Sequence, residues 1–239
     1  MNKDRFGQPG ADERSFLFYV AQGEEVDAVG ENTVEAFTMQ GPDMKSSSEH
    51  LSIVKITGPH LPAVFPRHRL YNHLDRAAER SVVWVCAPPG AGKTTLVASW
   101  LAERHIPALW YQIDEGDTDP ASFFYYMGMA LKRAVPRLRK ALPHFTPGYH
   151  FGIHTFTRRY FEMLFTRLNS PCTIVLDNYQ EASLESPIHE VLRDGVNVAP
   201  PGVNVIFISR NSPPRNNDSP EGRAPYGDHR LGGNQAHPR

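Results

Sequence analysis

The segment Ala87–Thr94, APPGAGKT, constrains this chain more than any other. It matches the relaxed phosphate-loop pattern A/G-x4-G-K-S/T, with Ala87 rather than Gly at the first position. Its surroundings agree with the pattern. The β-type run Val82–Cys86 (VVWVC) enters the loop, and Lys93–Glu103 leaves it as a predicted helix with Leu96, Val97, Trp100 and Leu101 on one face. Gly90 and Gly92 let the backbone turn and approach an anion without a Cβ clash. The successive N–H groups and the helix N-terminus then offer partial positive charge. Lys93 would bring an ammonium to the phosphates, and Thr94 a hydroxyl to Mg²⁺. The candidate ligand-contacting run is therefore Ala87, Pro88, Pro89, Gly90, Ala91, Gly92, Lys93, Thr94 and Thr95.

Such a loop needs an acidic partner at the end of a neighbouring strand to hold the metal. Thr173–Leu176 (TIVL) followed by Asp177 supplies it, at the sheet edge where ligands sit in open α/β sheets. Read alone, Asp177-Asn178 would also serve as a strand-ending turn. The candidate metal ligands are thus Thr94 and Asp177. The position after Asp177 is an amide, Asn178, which can orient a water but cannot take its proton. Glu181 is a substitute base or a solvated loop acid. Arg210 follows the run Val203–Ser209 at the same edge, where it would reach a γ-phosphate or pair with a surface carboxylate. Asp177, Lys93 and Arg210 form the candidate catalytic set.

Strand and helix signals alternate through the middle of the chain. Ala108–Ile113 is a predicted strand, and Asp119-Pro120 opens a helix running to about Val135. Phe156–Leu168 and Pro187–Arg193 are predicted helices, and Val203–Ser209 (VNVIFIS) is a further strand. This alternation predicts an α/β fold, a three-layer sandwich built on a parallel sheet. Residues 1–50 carry ten Asp/Glu against four Lys/Arg and are predicted to be a largely disordered acidic arm, with Phe16–Ala21 as a short β segment. Residues 211–239 hold five Pro and four Gly and read as a disordered tail. The ordered domain is expected over 51–210.

Other classes fit poorly. No run of 18 apolar residues is available for a membrane span, and the first residues lack a signal-peptide core, so a cytoplasmic protein is expected. Cys86 and Cys172 sit in apolar runs and read as buried free thiols. A net charge of −1 argues against a chain built throughout for nucleic acid, and the basic residues from Lys132 to Arg167 read as solvated helix faces. His150 and His154 have i, i+4 spacing but lack the partners of a zinc site.

Five segments in order carry a family resemblance: Ile56–Leu70 with its Arg67-His68-Arg69-Leu70, Val85–Trp100 (VCAPPGAGKTTLVASW), Leu109–Met127 (LWYQIDEGDTDPASFFYYM), Ile174–Gln180 (IVLDNYQ) and Phe207–Pro214 (FISRNSPP). Together they resemble the nucleotide-binding domain of large ATP-dependent LuxR-type transcriptional regulators, members of the STAND class of P-loop ATPases. The resemblance implies an ATP/ADP switch. It places Lys93 and Thr94 in the phosphate loop, Asp177 on Mg²⁺ and Arg210 as a sensor arginine. It also adds Arg67, from the arginine motif preceding the domain, to the nucleotide-binding set. Asp114-Glu115-Gly116-Asp117 matches the family but has no assigned chemistry; as bare sequence it is a carboxylate-rich turn capping the next helix.

Family members are several times longer, and the fold usually places a fifth strand beside the phosphate-loop strand. The expectation is therefore a truncated or frameshifted core with its last strand missing. Such a core would have slow or absent hydrolysis and no DNA-binding domain in this chain. The alternative is a non-catalytic fragment that associates with full-length relatives through an exposed sheet edge.

Overall fold

Alternation along the strand entering the phosphate loop explains the layers. The computed structural model describes residues 17–20, 25–26, 54–61, 64–138, 140–168 and 170–213. Strand β3 (Val82–Cys86) is buried along its whole length. Val82, Trp84 and Cys86 join one apolar cluster, whereas Val83 and Val85 join another on the opposite face. Burial on both faces is the property of a sheet with helices on each side.

Beside β3 lie β6 (Val203–Ser209), β5 (Cys172–Asp177) and β4 (Ala108–Gln112), all parallel. One face carries α1 (His68–Ala77) and α2 (Lys93–Glu103) through Leu70, Tyr71, Leu74, Leu96 and Trp100. The other carries α3 (Pro120–Ala134), α4 (Ile153–Arg167) and α5 (Ile188–Val196), whose Phe123, Phe124, Tyr160, Phe161 and Leu192 make an aromatic-rich core. The α/β three-layer sandwich expected from the sequence is the fold observed. Cys86 and Cys172 are free and buried.

Among the described residues the parallel part of the sheet has these four strands, and past β3 it continues with antiparallel ones. Strand β1 (Leu17–Val20) pairs antiparallel with β3, and the two-residue β2 (Glu25–Val26) pairs with β1. The short β segment read at Phe16–Ala21 is thus part of the sheet, and among the described residues it occupies the place where a later strand was expected. The rest of the acidic arm and the tail from Pro214 onward lie outside the described residues. Helix α1 was not anticipated, although Leu70, Tyr71, Leu74 and Ala77 recur at helical spacing.

Two contacts hold neighbouring helices. Gly195 on α5 lies against α4 so closely that a Cβ there would sit 2.5 Å from the Phe161 ring. On the opposite face, Asp75 accepts from Trp100 Nε1 at 2.8 Å and from Arg104 Nη2 at 2.8 Å, joining α1 to the end of α2. The Arg104 hydrogen bonds hold the Asp75 carboxyl below the usual range.

Gly195→Ala is expected to destabilise the protein by about 1–3 kcal/mol through overpacking, read as a lower urea midpoint with an unchanged slope. Asp75 has a depressed folded pKa, so its contribution is present above the ordinary carboxylate range and is lost as pH falls through the folded value. The stability gap between wild type and Asp75→Asn should therefore be largest near neutral pH and shrink in acid, as measured by urea melts across pH.

Candidate functional site

The C-terminal ends of β3 and β5 open onto one edge of the sheet. After Cys86 the chain enters the loop, where Gly90 and Gly92 have φ of +79° and +82°, left-handed values that favour glycine. Helix α2 starts at Lys93, directly after Gly92. Lys93 Nζ donates to the loop's own carbonyls, Ala87 O at 2.6 Å and Pro88 O at 3.0 Å. Burial pulls its pKa below the ordinary lysine value.

Thr94 Oγ1 donates to Asp177 Oδ1 at 3.1 Å, joining the two motifs that are 83 residues apart. Asp177 is 2% exposed and ends β5 as a strand residue. Its Oδ1 also accepts the Asn178 N–H at 2.9 Å. Burial raises its pKa, and these two hydrogen bonds pull the other way. A buried carboxylate beside a threonine hydroxyl is hard oxygen chemistry and fits Mg²⁺.

Two arginines flank the loop. Arg67, just before α1, donates from Nη1 to Ala91 O at 3.1 Å, and its Nη2 lies near Gly92. Arg210 follows β6; its Nη2 lies 3.9 Å from Glu181 Oε1, and its backbone N–H donates to Gln180 Oε1. In this arrangement Arg210 and Glu181, for each of which two readings stood open, face each other. Asn178 has a left-handed φ of +58°. The structure gathers Ala87–Thr95, Arg67, Asp177 and Arg210 around one edge.

The segment Asp114–Asp117 acquires a role that was not assigned from sequence. Asp114 caps a 3₁₀ turn over Glu115–Thr118, while Asp119 caps α3 by accepting from Ala121 N and Ser122 N. Asp117 is instead buried at 1% exposure. It accepts from Tyr111 Oη at 2.6 Å, from Lys55 Nζ at 2.8 Å and from Asp114 N at 2.9 Å. Lys55 also reaches Asp114 at 2.6 Å and lies over the Tyr111 and Tyr126 rings. Burial, then Asp117, push the Tyr111 hydroxyl well above its ordinary pKa, so it stays a donor. This cluster anchors the segment that leads to Arg67. The carboxylates were visible in the sequence, but nothing local pointed to a lysine 62 residues away.

His154 pairs with Asp194 of α5. Lys132, Arg133, Arg158 and Arg159 are exposed. No described helix is long and apolar enough to cross a membrane.

Residues 64–210 match the family described as Nephrocystin 3, N-terminal. The chain belongs to this family. It is also similar to HTH-type transcriptional regulators MalT, in line with the LuxR-type resemblance. Identity is 32% over 164 residues to the Vibrio cholerae protein, covering 67% of this chain and 18% of that one. It is 30% over 160 residues to the Cronobacter sakazakii protein, covering 62% and 16%. The Yersinia enterocolitica protein is 28% identical over 150 residues, again covering 62% and 16%. The chain therefore spans less than a fifth of the length of these relatives.

Asp117→Ala should cost about 3 kcal/mol or more, because it leaves the buried Lys55 and the Tyr111 hydroxyl short of an acceptor. Adding Lys55→Met to that variant should restore part of the loss. A double-mutant cycle from urea unfolding measures the coupling.

Proposed function

We propose that this chain is an ATP/ADP-binding, Mg²⁺-dependent P-loop switch domain of a LuxR-type transcriptional regulator, with slow or absent hydrolysis. The observation that carries the reading is the Thr94–Asp177 hydrogen bond beside a glycine loop that opens helix α2. The hydroxyl and carboxylate stand together as the two oxygen groups that would hold the metal.

Lys93 has a defined change to make. It now satisfies two loop carbonyls and would swing from them to phosphate oxygens. Its partial desolvation strengthens the attraction to an anion. The loop N–H groups would bind the phosphates, with Arg67 closing the loop from the α1 side. Thr94 and Asp177 would hold Mg²⁺, which when bound neutralises charge on the β- and γ-phosphate oxygens. Arg210 would exchange Glu181 for a γ-phosphate and so distinguish ATP from ADP.

The groups near Asp177 support the reading of slow hydrolysis. Asn178 cannot take a proton from water. Glu181 is engaged with Arg210 at 3.9 Å and accepts from Gln180 Nε2 at 3.1 Å. Neither is placed as a free base.

Lys93→Ala should weaken Mg²⁺-ATP binding by about tenfold or more, equivalent to ~1.4 kcal/mol. Titration calorimetry checks this, and equal affinity in the two proteins would refute the reading. Arg210→Ala should lower ATP affinity while leaving ADP affinity nearly unchanged in the same assay.

A further inference from the structure

We propose that Tyr179 and His189 are positioning residues for Arg210, and that through them helix α5 sets how this arginine is presented to a nucleotide. The nucleotide half rests on the switch-domain reading; the linkage between α5 and Arg210 does not. After Asp177 the chain leaves the sheet at Asn178, whose left-handed φ of +58° suits asparagine better than most residues. The 3₁₀ turn Tyr179–Glu181 follows. Tyr179 is buried, with its ring edge-on to Trp84 of β3 at 4.9 Å and to Phe207 of β6 at 5.2 Å between centroids. A tyrosine buried this way brings a hydroxyl that needs a partner. His189 of α5 supplies one, with Nδ1 2.6 Å from Tyr179 Oη. Its other nitrogen, Nε2, lies 2.8 Å from Ser183 O. A carbonyl only accepts, so Nε2 carries hydrogen, and Nδ1 of the neutral ring accepts from Tyr179.

The next two residues of the turn reach Arg210. Gln180 Oε1 accepts the Arg210 N–H at 3.0 Å, while Gln180 Nε2 donates to Glu181 Oε1 at 3.1 Å. That carboxylate oxygen lies 3.9 Å from Arg210 Nη2. One side-chain amide therefore spans the Arg210 backbone and the carboxylate its guanidinium faces. On the other side the sheet holds this stretch of chain: Cys86 Sγ donates to Arg210 O at 3.4 Å, and Trp84 Nε1 to Asn211 O at 2.9 Å. Those contacts come from a strand buried along its whole length, so the turn is the adjustable side. The Arg210–Glu181 pair is exposed and too weak to fix the turn by itself. The Tyr179–His189 hydrogen bond, made in a buried setting, ties the turn to α5. Losing it leaves the turn able to move about Asn178 and draws Gln180 off the Arg210 N–H. Arg210 is then presented less firmly, at a cost to ATP and not to ADP.

Amide hydrogen exchange, followed by NMR on the full chain, reads the linkage directly. In Tyr179→Phe, which keeps the ring, and in His189→Ala, the Arg210 amide should exchange at least about threefold faster than in wild type. The Val205 amide on β6, which donates to Ser81 O at 2.9 Å, should exchange as before. His189→Asn offers an acceptor in place of Nδ1 and should restore most of the protection at Arg210. By titration calorimetry, Tyr179→Phe and His189→Ala should each lose at least about threefold in Mg²⁺-ATP affinity and keep their ADP affinity. Unchanged exchange at Arg210, or equal acceleration at Arg210 and Val205, would overturn the linkage. Faster exchange with an unchanged ATP-to-ADP ratio would overturn the role in presenting Arg210. If wild type binds neither nucleotide, the switch-domain reading fails, and the exchange rates still decide the linkage. If His189→Ala does not fold, Tyr179→Phe decides.

Discussion

The site depends on β6 lying between β3 and β5. Its register places Cys86 opposite Ser209 and Leu176 opposite Phe207, so the phosphate loop and Asp177 emerge from the same edge. Burial on both faces holds that register. A slip of one residue would carry Trp84 and Cys86 to the side of Val83 and Val85, and would disturb both cores at once. The Thr94–Asp177 hydrogen bond is therefore a consequence of how the sheet packs, reached across a strand that contributes no ligand to it.

That edge holds two charged groups that burial disfavours in opposite senses. Asp177 is pushed up and Lys93 down, in each case chiefly by loss of water. They are not joined by a direct ion pair. Thr94 and the Asn178 N–H serve Asp177, while the Ala87 and Pro88 carbonyls serve Lys93. An anion bound with a cation would satisfy both groups together, and neither group has to be torn from the other first.

Much of this was legible from local pattern. The four parallel strands, α2, α3 and the placement of Asp177 at a strand end follow from runs of β-branched and apolar residues and from the phosphate-loop spacing. Two features were not legible, for one physical reason. The Lys55–Asp117 contact and the β1–β3 pairing join segments far apart in sequence, and no periodicity records such a meeting. Four apolar residues in an acidic arm cannot announce which edge they will cover. Asp117 reads like its exposed neighbours Asp114 and Glu115 until the fold buries it. Helix α1 is a different case, because its apolar spacing was present and its charged residues masked it.

Both unanticipated contacts bring residues that precede β3 back onto the end of the sheet where the glycine loop emerges. Lys55 anchors its segment against the turn after β4, and a Cβ added at Gly58 would lie 3.3 Å from the Trp110 ring. Leu61, Val64 and Pro66 share one pocket with Ser99, Ala102 and Glu103 of α2, and Arg67 reaches the Ala91 carbonyl. Separately, β1 pairs with β3 up to Cys86, the residue directly before Ala87. The loop is thus restrained at Ala91 through a guanidinium and at its root through a strand ladder, both supplied from upstream. A loop held at two points by neighbours changes shape only if one of them gives, so any motion of this loop passes to α1 through Arg67 or to the sheet through the β1–β3 ladder.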